Sequence, residues 1–116
     1  MIAIGELAQR AGVSVRALRY YEEQGLLESS RNGRGHREYP ESSVERVRVI
    51  QNLYAAGLSS QTILEVCPHR ETGTAAYGER LGRLQTVREQ LDHRVGELLT
   101  ARARLDDVID SLLAVM

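Results

Sequence analysis

Apolar residues recur at Ile4, Leu7, Ala8 and Ala11, the i, i+3, i+4, i+7 spacing of one helical face. Gly12 follows as a stop signal, Val13 bridges, and Ser14 is placed to cap a second helix from Val15 to about Gln24. Gly25 ends that helix in turn. Two short helices about a tight glycine turn make a helix-turn-helix pattern. In residues 28–39, Asn32-Gly33 is a hairpin signal with Gly35 nearby, and the flanks are too polar for core strands. This stretch predicts a small solvent-exposed β-ribbon, a wing. Pro40 breaks the chain. Ser42 or Ser43 then caps a third helix, about 44–56, that buries Val44, Val47, Ile50 and Leu53 or Tyr54. Gly57 stops it. Ser59 or Ser60 caps a short fourth helix through Val66, which Pro68 closes.

Beyond a loop the pattern changes. Tyr77, Leu81, Leu84, Arg88, Leu91, Val95, Leu98, Arg102, Leu105, Ile109, Leu112 and Met116 alternate spacings of four and three, a heptad seam interrupted only by its two arginines. A helix of that length runs roughly 57 Å, too long to bury its stripe against a domain of about 70 residues. A second copy of the chain is the expected partner. The alternative is an internal hairpin broken at Gly82 or Gly96. The expected organisation is mostly α: a winged helix-turn-helix domain over 1–68, a linker over 69–76, and an antiparallel coiled-coil dimerisation helix over 77–116, the antiparallel sense resting on the resemblance given below. Leu81, Leu84, Leu91, Val95, Leu98, Leu105, Ile109 and Leu112 are the dimerisation residues.

Composition adds limits. The 116 residues carry a net charge of -1, which argues against a general polyanion binder. All fifteen basic residues are Arg, a pattern that suits phosphate and base-edge contacts and is equally explained by genomic base composition. No apolar run reaches the ~20 residues of a membrane span, and residues 1–15 lack the pattern of a signal peptide. A cytoplasmic protein without membrane association is expected. A lone cysteine excludes a disulfide or multi-Cys metal site within the chain. With no nucleophile–base pair, carboxylate dyad or phosphate-cradling glycine loop in view, no enzyme is expected, nor any metal or cofactor.

The chemistry concentrates in the second helix and the wing. Arg16, Arg19 and Tyr20 fall at i, i+3, i+4 and share a face. Arg reaches guanine edges or phosphates and a Tyr hydroxyl bonds phosphate oxygen, as recognition of double-stranded DNA requires. The competing reading is a solvated face ion-paired to Glu22 and Glu23. Arg31, Arg34 and Arg37 on a Gly-rich ribbon would add a cationic finger for the DNA backbone, and His36 can join it.

The stretch "IGELAQRAGVSVRALRYYEEQGLLESSRNGRGHREYPESSVERVRVIQNLYAAGLSSQTI" resembles the DNA-binding domain of MerR-family transcriptional regulators, with "LRYYEEQGLL" and "GHREY" at that separation its most specific blocks. The resemblance implies a winged helix-turn-helix homodimer joined by an antiparallel coiled coil. Such dimers bind an inverted repeat in a promoter with an over-long spacer, and bend and untwist it so that RNA polymerase can engage both elements. It implies DNA contacts from Arg16, Arg19, Tyr20 and Tyr21 and from Arg37 of the wing. Ser14, Val15, Arg34, His36 and Tyr39 complete the candidate DNA-binding set. Pro40 departs from the small polar cap of many members, which puts the entry of the third helix in doubt. The chain ends on the seam with no Cys after position 67, so the thiolate metal site of metal-sensing members is not expected, nor is the large effector domain of drug-sensing ones.

Cys67, in "EVCPHRE", supports two main readings: a thiol sensor activated by His69 or Arg70, or a small hydrophobe packing the fourth helix. A Cys67/His69 metal site shared across a dimer is a third. His93 is read as solvated. The alternative function is an architectural or excisionase-like DNA-binding protein without effector response, which the long seam disfavours. A coiled-coil interaction module without nucleic acid is disfavoured by the Arg/Tyr face and the wing.

Overall fold

The computed structural model describes residues 1–68 and 73–116, the side chains of 73–76 excepted. The chain divides into two compact units, Met1–Gly73 and Thr74–Met116. In the first unit, strand β1 (Ile2–Ala3) leads into helix α1 (Ile4–Ala11), followed by α2 (Val15–Glu23), β2 (Ser30–Arg31), β3 (Arg37–Tyr39), α3 (Ser43–Ala55) and α4 (Ser60–Val66). Helix α5 (Gly73–Ala114) makes up nearly all of the second.

The junction of α1 and α2 is built from local signals. Gly12 takes φ +73, and its N–H and that of Val13 both return to the carbonyl of Ala8, ending α1. Two residues later the Ser14 hydroxyl accepts the N–H of Ala17 at 3.0 Å and starts α2. At the far end Gly25, at φ +76, lets the N–H of Leu26 reach the Tyr21 carbonyl at 2.9 Å. That reversal sends Leu26 and Leu27 inward. They join Leu7, Leu18, Val47, Ile50 and Ile63 in a fully buried core. Each such side chain contributes roughly 1.5–3 kcal/mol on burial.

The three strands form one antiparallel sheet in the order β1-β3-β2, with Ile2 opposite Tyr39 and Arg31 opposite Arg37. β1 carries no sequence signal, because two residues cannot display a period. The ribbon is not wholly solvent-exposed as its polarity suggested: β3 is the central strand, and its last residue, Tyr39, is buried. The wing turn also differs from the Asn32-Gly33 expectation. Asn32 pairs with His36 across a three-residue loop, and the left-handed residue is Gly35 (φ +79), not Gly33.

Pro40 does alter the entry to α3. The N–H of Ser43 bonds the Pro40 carbonyl and that of Val44 the Glu41 carbonyl, so a turn feeds the helix. Ser42 at the cap position has helical φ and ψ and makes no side-chain cap bond, contrary to the capping expected there. At α4, the Ser59 hydroxyl accepts the Thr62 N–H as anticipated.

In the second unit α5 is continuous through Gly82 and Gly96, whose carbonyls accept the Thr86 and Thr100 hydroxyls. No hairpin interrupts it. It starts at Gly73, four residues before the seam, with Ala75 and Ala76, strong helix formers, in its first turn. Residues 73–76 of the expected linker are therefore helical, while 69–72 lie outside the described residues. Among the described residues no helix is long and apolar enough to cross a membrane.

Candidate nucleic-acid interface

Capping by Ser14 fixes where α2 begins, and so which side chains point out. Leu18 is fully buried and turns the opposite face to solvent. That face carries Arg16, Arg19 and Tyr20, all exposed, the tyrosine at 46%. Among the described residues Arg16, Arg19 and Arg34 enter no ion pair and donate no side-chain hydrogen bond. The reading of a solvated face neutralised by Glu22 and Glu23 therefore fails for the pair it named. Unpartnered guanidinium groups hold their full donor capacity for an external anion.

The wing is ordered by its own side chains. Asn32 Oδ1 accepts the N–H groups of Arg34 and His36 at 2.9 and 3.0 Å, and its Nδ2 donates to Glu38 at 3.1 Å. Arg31 donates to the Gly35 carbonyl at 2.7 Å. The loop thus presents Arg34 and His36 to solvent on a fixed hairpin. Where wing, α1 and α2 meet, a recess of about 590 Å³ is lined by Ala3, Ile4, Arg19, Arg31, Gly35, His36 and Arg37. Three guanidinium groups and an imidazole converge there, bringing α2 and wing residues together. Arg16, Tyr20 and Arg34 lie outside that lining.

Two candidates sit differently from expectation. Tyr39 is 0% exposed, so it is a core residue and not a DNA contact. It lies at the inner end of β3, where its hydroxyl donates to Glu22 at 3.3 Å. Tyr21 is 9% exposed and stacks on Tyr54 with centroids 5.7 Å apart, behind Tyr20 at 6.4 Å. It buttresses the exposed tyrosine instead of standing beside it. Burial, then the neighbouring Tyr54, pushes the Tyr21 hydroxyl above the usual tyrosine range. Burial, then the charge of Glu22, does the same to Tyr39. Val15 is half-buried, and the Ser14 hydroxyl is engaged in its cap.

Glu22 and Arg46 are the residues that sequence reasoning missed in these roles. Glu22 binds Arg37 of β3 at 3.0 Å as well as Tyr39, although its sequence position suggested a helix-face partner. Arg46 of α3 donates to the carbonyls of Leu26 (2.6 Å), Cys67 (2.8 Å) and Pro68 (3.3 Å), tying the turn after α2 to the end of α4. It also lies 3.6 Å from the Cys67 sulfur. Nothing in an exposed-looking "SVERVR" marks that arginine as a hub. Cys67 itself is 4% exposed. His69 and Arg70, invoked to activate it, lie outside the described residues. His93 is exposed and meets Glu97 at 2.7 Å. Among the described residues no three of His, Cys, Asp or Glu cluster as a metal ion would need.

Comparison with known proteins identifies the family of the chain. Residues 2–70 match the model of the MerR HTH family regulatory proteins. The HTH-type transcriptional activator SoxR homolog of Chromobacterium violaceum is 36% identical over 106 residues, covering 78% of this chain and 72% of that protein. The nodulation protein NolA of Bradyrhizobium sp. (strain NC92) is 41% identical over 83 residues, 71% of this chain but 35% of its own length, so the chain spans about a third of that relative. Among solved structures, a MerR family transcriptional regulator from Listeria monocytogenes superposes with a TM-score of 0.72 at 28% identity, covering 95% of this chain and 84% of the other. The chain belongs to the MerR family of helix-turn-helix regulatory proteins and is a DNA-binding regulator of transcription.

Proposed function

We propose that the chain acts in the cytoplasm as a homodimer that binds an inverted repeat in a promoter and bends and untwists the duplex, so that RNA polymerase can engage both promoter elements. Arg16, Arg19 and Tyr20 approach the groove and its phosphates, while Arg31, Arg34, His36 and Arg37 hold the adjacent backbone. Phosphate contacts of this kind clamp a deformed duplex, and the sequence dependence of that deformation supplies specificity. The seam of α5 joins the two copies. Cys67, buried against Arg46, acts as a core residue. The observation that carries the reading is the exposed α2 face with unpartnered Arg16 and Arg19, set beside a recess walled by arginines.

Fluorescence anisotropy on a duplex selected by the protein from a random-sequence library tests it. Affinity should fall steeply with salt, each neutralised phosphate contributing about -0.9 to the log–log slope. A slope near zero would overturn the reading. Arg16→Ala and Arg19→Ala should each cost on the order of 1–3 kcal/mol if they grip base edges. Equal weakening on selected and random DNA would assign them to phosphate instead.

A further inference from the structure

Arg37 differs from the other arginines of the recess. Arg19 is unpartnered and Arg31 donates to a loop carbonyl, whereas Arg37 is held by a carboxylate, Glu22, at 3.0 Å. Glu22 sits on the last turn of α2 with its side chain only 17% exposed, while Arg37 is 46% exposed. The second oxygen of the same carboxylate accepts the hydroxyl of buried Tyr39 at 3.3 Å. One carboxylate on the recognition helix therefore grips two residues of the wing's central strand, i and i+2, from one side. Burial has removed much of its freedom to move, and Tyr39 fixes its rotation. A guanidinium docked on such a carboxylate through Nη1 keeps other donors free and has its plane set.

We propose that Glu22 is a positioning residue for DNA binding, which aims Arg37 into the recess so that its remaining donors meet a backbone phosphate beside the recognition helix. This rests on the reading of the recess as a DNA-backbone site. Simple electrostatics points the other way: a carboxylate near a phosphate repels it, so removing Glu22 for its charge alone would strengthen binding. Positioning requires that removal weaken binding, and that the weakening pass through Arg37.

The test is a double-mutant cycle on the full chain, measured against the library-selected duplex, with each variant's fold checked by circular dichroism and thermal melting. Glu22→Ala should weaken binding about tenfold with Arg37 present, the scale of one lost charge-assisted hydrogen bond, and have little effect in an Arg37→Ala background. Glu22→Gln, which keeps an acceptor for Arg37 and a partner for Tyr39, should recover most of the affinity, and it carries the test if Glu22→Ala does not fold. Tyr39→Phe should lose less than Glu22→Ala. An equal loss in both backgrounds would mean that Glu22 merely ties α2 to the sheet, and tighter binding in both would mean that it acts only as a repelling charge. Either result overturns the proposal, as does a failure of Glu22→Gln to recover affinity while folded. If the wild-type protein selects no duplex at all, it is the DNA-backbone reading that fails.

Discussion

Tyr39 must stay protonated to donate to Glu22, and its surroundings enforce that. Burial and the adjacent carboxylate both raise its pKa above the ordinary phenol value of 10.0. The folded chain thus holds this proton more tightly than the unfolded chain does. The linked stability is whole below about pH 10 and is lost as pH rises through the folded value. Tyr39→Phe should cost about 1 kcal/mol at neutral pH for the hydrogen bond and should flatten the alkaline decline. Urea unfolding between about pH 8 and 11 reads both. A Phe variant declining as steeply as wild type would show that other groups, Tyr21 among them, set the alkaline limb. The residue was misread from sequence for a definable reason. "REYP" places Tyr39 among exposed charges, and a three-residue strand is too short to reveal which face is buried. Arg16 and Arg19 were legible because the helix period and the Ser14 cap specify their face without tertiary information.

At the scale of elements, what could be read followed from how locally each end is encoded. α1 ends, and α2 begins and ends, on local signals, since Gly12, Ser14 and Gly25 terminate or cap them through bonds spanning five residues or fewer. At the entry to α3 the expected side-chain cap is missing: the Pro40 and Glu41 carbonyls take the N–H groups of Ser43 and Val44, and Ser42 contributes only its carbonyl, to Arg46. The wing turn was placed correctly on the wrong glycine. Asn32 forms its pair with His36, so the loop has three residues and demands a left-handed conformation only at Gly35. Gly35→Ala should therefore cost about 1–2 kcal/mol, while Gly33→Ala, with negative φ and open space where its Cβ would sit, should change stability by less than about 0.5 kcal/mol. Urea denaturation of the two variants separates them. Equal costs would refute the three-residue loop and restore the two-residue turn.

At the scale of the molecule, α5 poses the largest unmet demand for burial. Its 42 residues extend about 63 Å. Leu81, Val95, Leu98, Leu105, Ile109 and Leu112 are each more than half exposed, with Leu98 at 67%. A period sustained over five heptads makes this seam the most readable feature of the sequence. The two seam arginines constrain the proposed answer. A parallel, in-register pair would set Arg88 against Arg88 and Arg102 against Arg102. An antiparallel pair centred between Gly96 and Glu97 sets Val95 opposite Leu98, Leu81 opposite Leu112 and each arginine opposite a leucine. Arg88 then lies beside Asp106 of the partner subunit, and Arg102 beside Asp92 of the partner subunit. Burying Leu98 contributes roughly 1.5–3 kcal/mol per chain, so Leu98→Asp at the centre should dissociate the pair in sedimentation at micromolar concentration. In a Cys67→Ser background, a Leu81→Cys chain mixed with a Leu112→Cys chain should crosslink efficiently on oxidation, while neither should crosslink with itself. Efficient like-with-like crosslinking at both positions would establish a parallel coil and refute this register, and a wild-type chain that sediments as a monomer would refute the seam as an interface.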